Sequence, residues 1–159
     1  MNLLKMKKWK KYYKNSNCRI GLRVRYEIEV DSEVKRAIGE CINWLRTTYF
    51  FPKRLNLYVK SSETIKASNG ENVCGTFFRP ADRDIEPYIK VATGDYHELL
   101  YERGKDNALA AILQTIMHEI CHYFQWLNDL DLTLIGEERQ ATNYSRKLML
   151  EYAETRDHP

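Results

Sequence analysis

The sequence predicts an α+β domain, with a small mixed sheet, one helix near its start and a pair of helices at its C-terminal end. Three observations carry this. Residues 19–30 alternate between apolar and charged side chains, the period of a half-buried strand. Residues 34–49 and 109–127 repeat apolar side chains at three- and four-residue steps, the period of a helix. Short apolar runs at 55–59, 73–79 and 88–93 supply further strands. At 159 residues the chain is long enough for one proper core and too short for two.

Residues 1–17 form a basic arm with six lysines, no acids, and Trp9, Tyr12 and Tyr13. Without those lysines, 19 basic residues stand against 22 acidic ones, so the overall charge of +3 is local to the arm. Lysines interleaved with aromatic rings can grip phosphates and stack bases, which makes residues 5–14 a candidate for weak nucleic-acid contact. A terminal extension with a solvated face is the plainer reading. The arm lacks the apolar centre of a signal peptide. Residues 18–159 are then a single domain.

In that domain Ile20, Leu22, Val24, Tyr26, Ile28 and Val30 form one face of the first expected strand, Arg19 to Val30. Asp31 or Ser32 caps a helix whose stripe is Val34, Ala37, Ile38, Cys41, Leu45 and Tyr49, closed by Pro52. Leu55, Leu57 and Val59 mark a second strand. Ser61 to Asn72 is polar, with an Asn69-Gly70 turn, and reads as a loop. Val73 to Arg79 is a short strand stopped by Pro80, and Tyr88 to Thr93 is another. Asp95 to Glu102 is a short helix ended by Gly104, with His97 a surface residue.

The chemistry concentrates in Asp106 to Asn128. Asp106 is a good N-cap, and strong helix formers follow it. Leu109, Ile112, Ile116, Ile120, Phe124 and Leu127 form the apolar stripe, while His118 and His122 fall almost opposite. Ala111, Thr115 and Trp126 share the histidine side, so something other than water covers it. Histidines four apart on a helix stand one above the other. They can hold one metal ion, and Glu119 flanks the ion's open position. A catalytic zinc normally takes a third protein ligand. Leu130 to Gly136 reads as a turn before a last helix, from Glu137 to about Glu154. On it Glu138, Ala141, Ser145, Leu148, Met149 and Tyr152 share a face, and the small residues let two helices approach. Glu138 heads that face and is the expected third ligand, with Glu137 as its rival. His158, one residue from the terminus, is a poor anchor.

These residues resemble a family. His118-Glu119-x-x-His122, followed by Glu138-x-x-Ala141 on the next helix, is similar to the gluzincin clan of zinc metallopeptidases. The nearest likeness is to the small minigluzincins and the ImmA/IrrE-like proteins, whose third ligand is a Glu in a Glu-x-x-Ala-Asn-type motif. Ala141-Thr142-Asn143 departs from that motif by one residue, and Cys121 replaces the glycine of His-Glu-x-Gly-His. SprT-like proteases are more distant, since they use a histidine as third ligand. The resemblance covers roughly residues 53–155. It implies a zincin-like fold, Zn²⁺ as cofactor, a peptide or protein substrate, and Glu119 as the base that takes the proton of the attacking water. It also implies an edge strand over the metal-binding helix that pairs with an extended substrate. Cys74, Gly75, Thr76 and Phe77 are the candidates there, and Gly75 allows close backbone approach. An interior strand with an awkward glycine is the competing reading.

Cys18, Cys41, Cys74 and Cys121 are widely spaced, which argues against a zinc ribbon or a disulfide framework. No stretch is long and apolar enough to span a bilayer, so a reducing cytoplasm is the expected compartment. The expected function is zinc-dependent peptide hydrolysis. The alternative is a non-catalytic binding module stapled by zinc, which a thiolate from Cys74 or Cys121 as fourth ligand would favour.

Overall fold

The computed structural model describes residues 2–13 and 17–159. Helix α1 (Lys10–Tyr13) follows a single 3-10 turn, Leu3–Lys5. Then come β1 (Leu22–Tyr26), α2 (Ser32–Thr48), β2 (Leu55–Lys60), β3 (Ile65–Lys66), β4 (Asn72–Val73), β5 (Gly75–Phe78) and β6 (Tyr88–Ala92). Helices α3 (Tyr96–Arg103), α4 (Lys105–Leu127) and α5 (Leu134–Ala153) complete the chain. The fold is α+β, as the sequence predicts.

The main sheet has the order β1-β2-β6-β5. β1, β2 and β6 are mutually parallel, and β5 runs antiparallel to β6 at the edge. Parallel neighbours need a crossover, and α2 supplies the one between β1 and β2. Asp31 caps α2 by accepting a hydrogen bond from the Glu33 amide at 2.8 Å. Strand β2 buries Leu55, Leu57 and Val59 on alternate positions. Helices α2 and α4 pack against the sheet and against one another, and α3 and α5 flank α4.

Helix α4 is buried almost all round, from Ala108 to Leu127. Its apolar stripe serves the core, while α5 and β5 cover the histidine side that the sequence left unexplained. Gly104, with φ of 80°, precedes α4, and Asp106 is not the cap. The Asp106 carboxylate instead pairs with His158 at 2.8 Å.

Four other expectations need correction. The first strand covers only Leu22–Tyr26, and Ile20 and Ile28 are exposed. Its partner explains this, because Tyr26 already pairs with Val59 and the chain turns at Glu27 to Val30. Alternation continued in the sequence beyond the point where a neighbouring strand exists. The 61–72 loop contains most of a small β3–β4 hairpin, turned through Gly70 at φ 86°. Helix α5 begins at Leu134, because Thr133 caps it by accepting from the Gly136 amide at 3.0 Å.

The arm, finally, is not a free extension. Leu3 and Leu4 are buried in the core and the turn they form packs on α4. The Trp9 amide donates to Asn128 Oδ1, the Tyr12 hydroxyl to Asp129, and the Tyr13 hydroxyl to the Arg83 carbonyl. Lys5, Lys7, Lys8, Lys10 and Lys11 remain exposed, and residue 14 of the basic run lies outside the described residues. Among the described residues no helix is long and apolar enough to cross a membrane.

Candidate metal centre

Helices α4 and α5 run antiparallel and close together because the residues between them are small. Ala141 and Ser145 are fully buried. Gln114 Nε2 donates to Ser145 Oγ at 2.6 Å, and that hydroxyl donates to the Thr142 carbonyl. This contact sets α5 so that Glu138 lies over the two histidines. His118 Nε2 and His122 Nε2 stand 3.2 Å apart. Glu138 places Oε2 3.0 Å from the first and Oε1 3.0 Å from the second. Among the described residues these three form the group able to hold a metal ion, with donor atoms within 4.8 Å of one another.

Glu137 takes a different partner. About 100° round the helix from Glu138, it is buried and accepts two hydrogen bonds from Arg79, both at 3.0 Å. The bidentate pair ties the end of β5 to the first turn of α5. Cys121 is fully buried, and burial pushes its thiol up to about 12. Cys74 is exposed at the cleft mouth. Neither thiol belongs to the donor group. His97 is exposed beside Asp31.

Gln125 is a residue that sequence reasoning missed. It is 2% exposed, and its Nε2 donates to the Glu137 carbonyl at 2.9 Å and to Gln140 Oε1 at 3.0 Å. A main-chain carbonyl only accepts, so the amide end of Gln125 must face it. Its Oε1 therefore faces His122 Nδ1, at 2.7 Å, and that nitrogen must carry the proton. In the neutral ring the lone pair is then on Nε2, aimed at His118 and Glu138. His122 Nε2 and the Glu138 carboxylate then face one another without a proton to share, an arrangement a cation relieves. The available signal was the position of Gln125, three residues beyond His122 on the same helix.

Glu119 is buried beside this group and lies outside it. Burial, aided by the charge of Glu138, pushes its carboxyl up to about 8. His118 is shifted the other way, below the usual imidazole value, chiefly by burial and then by His122.

Strand β5 passes directly over Glu119. A Cβ on Gly75 would lie 2.7 Å from Thr115 Cγ2 and 3.3 Å from Glu119 Cγ. Only glycine admits this approach without displacing a neighbour. Gly75 to Phe78 pair with β6 on one side, which leaves the other side of the strand as the sheet edge. Phe77 packs edge-on against Tyr123 and Trp126. A cleft of about 530 Å³ opens between β5, α4 and α5, with His118, Glu119 and Gly75 in its wall.

No family model, no curated protein and no solved structure matches this chain. Any functional reading therefore stands on the residues and their geometry.

Proposed function

We propose that the protein is a zinc-dependent peptidase of the gluzincin type, with His118, His122 and Glu138 as ligands and Glu119 as general base. The observation that carries this reading is the convergence of the two Nε2 atoms and the Glu138 carboxylate, with the His122 lone pair turned inward by Gln125. Donors around a tetrahedral zinc, with arms of about 2.0–2.1 Å, stand about 3.3–3.4 Å apart. The two histidine nitrogens, 3.2 Å apart, lie within a few tenths of an ångström of that, and a different oxygen of the Glu138 carboxylate lies 3.0 Å from each of them. Two imidazoles and one carboxylate are also a donor set of catalytic zinc, which keeps a position open.

When bound, zinc supplies Lewis acidity that polarises a carbonyl and acidifies a water. Glu119, beside the ligands and outside their set, accepts the proton of the attacking water and returns it to the leaving amine. Gln125 holds His122 in its tautomer, and Arg79 keeps the Glu137 charge away from the donor group. The free side of β5 offers main-chain groups to an extended peptide, and the close pass at Gly75 brings that peptide's backbone near Glu119.

The test combines metal analysis of the reconstituted protein with cleavage of a broad peptide library. About one zinc per chain and peptide cleavage are expected. Glu119→Gln should keep the zinc and lose roughly 10²–10⁴-fold in turnover. Zinc retained without cleavage of any peptide would favour a zinc-stapled binding module, and no zinc at all would overturn the reading.

A further inference from the structure

Resting on the peptidase reading, we infer that the cleft selects substrates carrying a carboxylate near the scissile bond, and that Arg146 is the residue that binds it. Glu138, Thr142 and Arg146 follow one another at four-residue steps along α5, so they share one face. Thr142 and Arg146 of that face line the cleft, together with Gln114 and Thr115 of α4 and Cys74 just before the edge strand. Arg146 is exposed into this space. The residues three and four positions away on α5 are Asn143, Thr142, Met149 and Leu150, none of them acidic. Among the described residues no carboxylate pairs with Arg146 and no acceptor takes its N–H groups. The acid in the wall of the cleft, Glu119, is buried and makes no ion pair with Arg146.

A guanidinium with five donors and no partner is a ready receptor for a carboxylate, which it binds in a planar, two-pronged fashion. Distance fixes where that carboxylate sits. Eight residues of helix separate Arg146 from Glu138 by about 12 Å along the axis. An extended peptide advances about 3.4 Å per residue. The acid is therefore within about three residues of the bond at the metal. Either an Asp or Glu side chain or the chain's own C-terminal carboxylate satisfies this chemistry.

The experiment uses zinc-loaded protein and fluorogenic peptides that carry one Asp, stepped from three residues before the cleaved bond to three after it. Each is compared with its Asn counterpart, and free C-termini are compared with amidated ones, which separates the two sources of carboxylate. At one position the acid should raise kcat/KM by about tenfold or more, the worth of a charged hydrogen bond. Arg146→Ala should bring the acid-to-neutral ratio to about one. Arg146→Glu should invert it in favour of a lysine peptide, a reversal that a merely structural arginine would not produce. Ratios near one at every position in the parent protein would overturn the inference while leaving the peptidase reading intact. If no peptide is cut, anisotropy with zinc-loaded Glu119→Gln protein decides the matter. Tenfold tighter binding of the acidic peptide, lost in a variant that also carries Arg146→Ala, supports the inference. Equal binding of acidic and neutral peptides overturns it.

Discussion

One proton on one ring governs how His122 presents itself to a cation. Gln125 holds that proton on Nδ1, and its own orientation is enforced by a carbonyl that cannot donate. Gln125→Ala frees the ring to place the proton on Nε2, so zinc affinity should fall about 10–100-fold, the usual effect of losing such a support. Competition with a chromophoric chelator measures this, and an unchanged affinity would mean that packing alone orients the ring. Thiol chemistry gives a second check at this scale. Burial pushes the thiols of Cys41 and Cys121 up to about 12, so almost no thiolate exists near neutral pH. Iodoacetamide at pH 7.5 should label exposed Cys74 and leave those two untouched in the folded protein, as read by mass spectrometry after digestion. That His118, His122 and Glu138, and not Glu137, come together was legible from helical spacing and the Glu-x-x-Ala resemblance. Arg79 was not, because its partner lies 58 residues away, and Gln125 was not, because the Glu137 carbonyl that fixes which end of its amide meets His122 lies 12 residues on.

At the scale of elements, the close pass of β5 over α4 is the demanding contact. Gly75→Ala puts a methyl group against Thr115 Cγ2, and the strand must lift away from Glu119. Peptide turnover should drop by tenfold or more with little loss of zinc. Thr115→Ser removes the obstructing methyl, so the Gly75→Ala/Thr115→Ser double variant should recover most of the activity. Failure to recover would place the damage in the strand itself. The helices and most strands were readable because their periods are local. That β5 lies at an edge was implied only by the family resemblance, since strand order depends on which distant segments pair. The start of α5 was misjudged because Leu134 and Ile135 are exposed, so they carry no stripe, and Gly136 resembles a turn residue.

Over the whole molecule, an ion that binds only the native state shifts the folding equilibrium. Free zinc at a hundred times its Kd should add about 2.7 kcal/mol, or about 5–10 °C in Tm for a chain of this size. Calorimetry with and without zinc checks this, and the shift should vanish in His118→Ala. The N-terminal leucines contribute in another way. Leu3 is fully buried, so Leu3→Ala should cost about 2–5 kcal/mol in denaturant unfolding, a loss that a dispensable tail would not show. Charge dominated the reading of that arm, and two adjacent leucines are too few to show a period. The distribution of the three proposed ligands would also set a tempo. Two of them ride on α4, the helix sealed from water on nearly all sides. The third is the fifth residue of α5, whose opening residues Leu134 and Ile135 are 81% and 72% exposed. Opening of that single turn, far less costly than unfolding, removes one donor while the other two stay in place. A chelator should therefore strip the ion at the frequency with which the turn frays, while the backbone amides of α4 are still waiting to exchange with deuterated solvent.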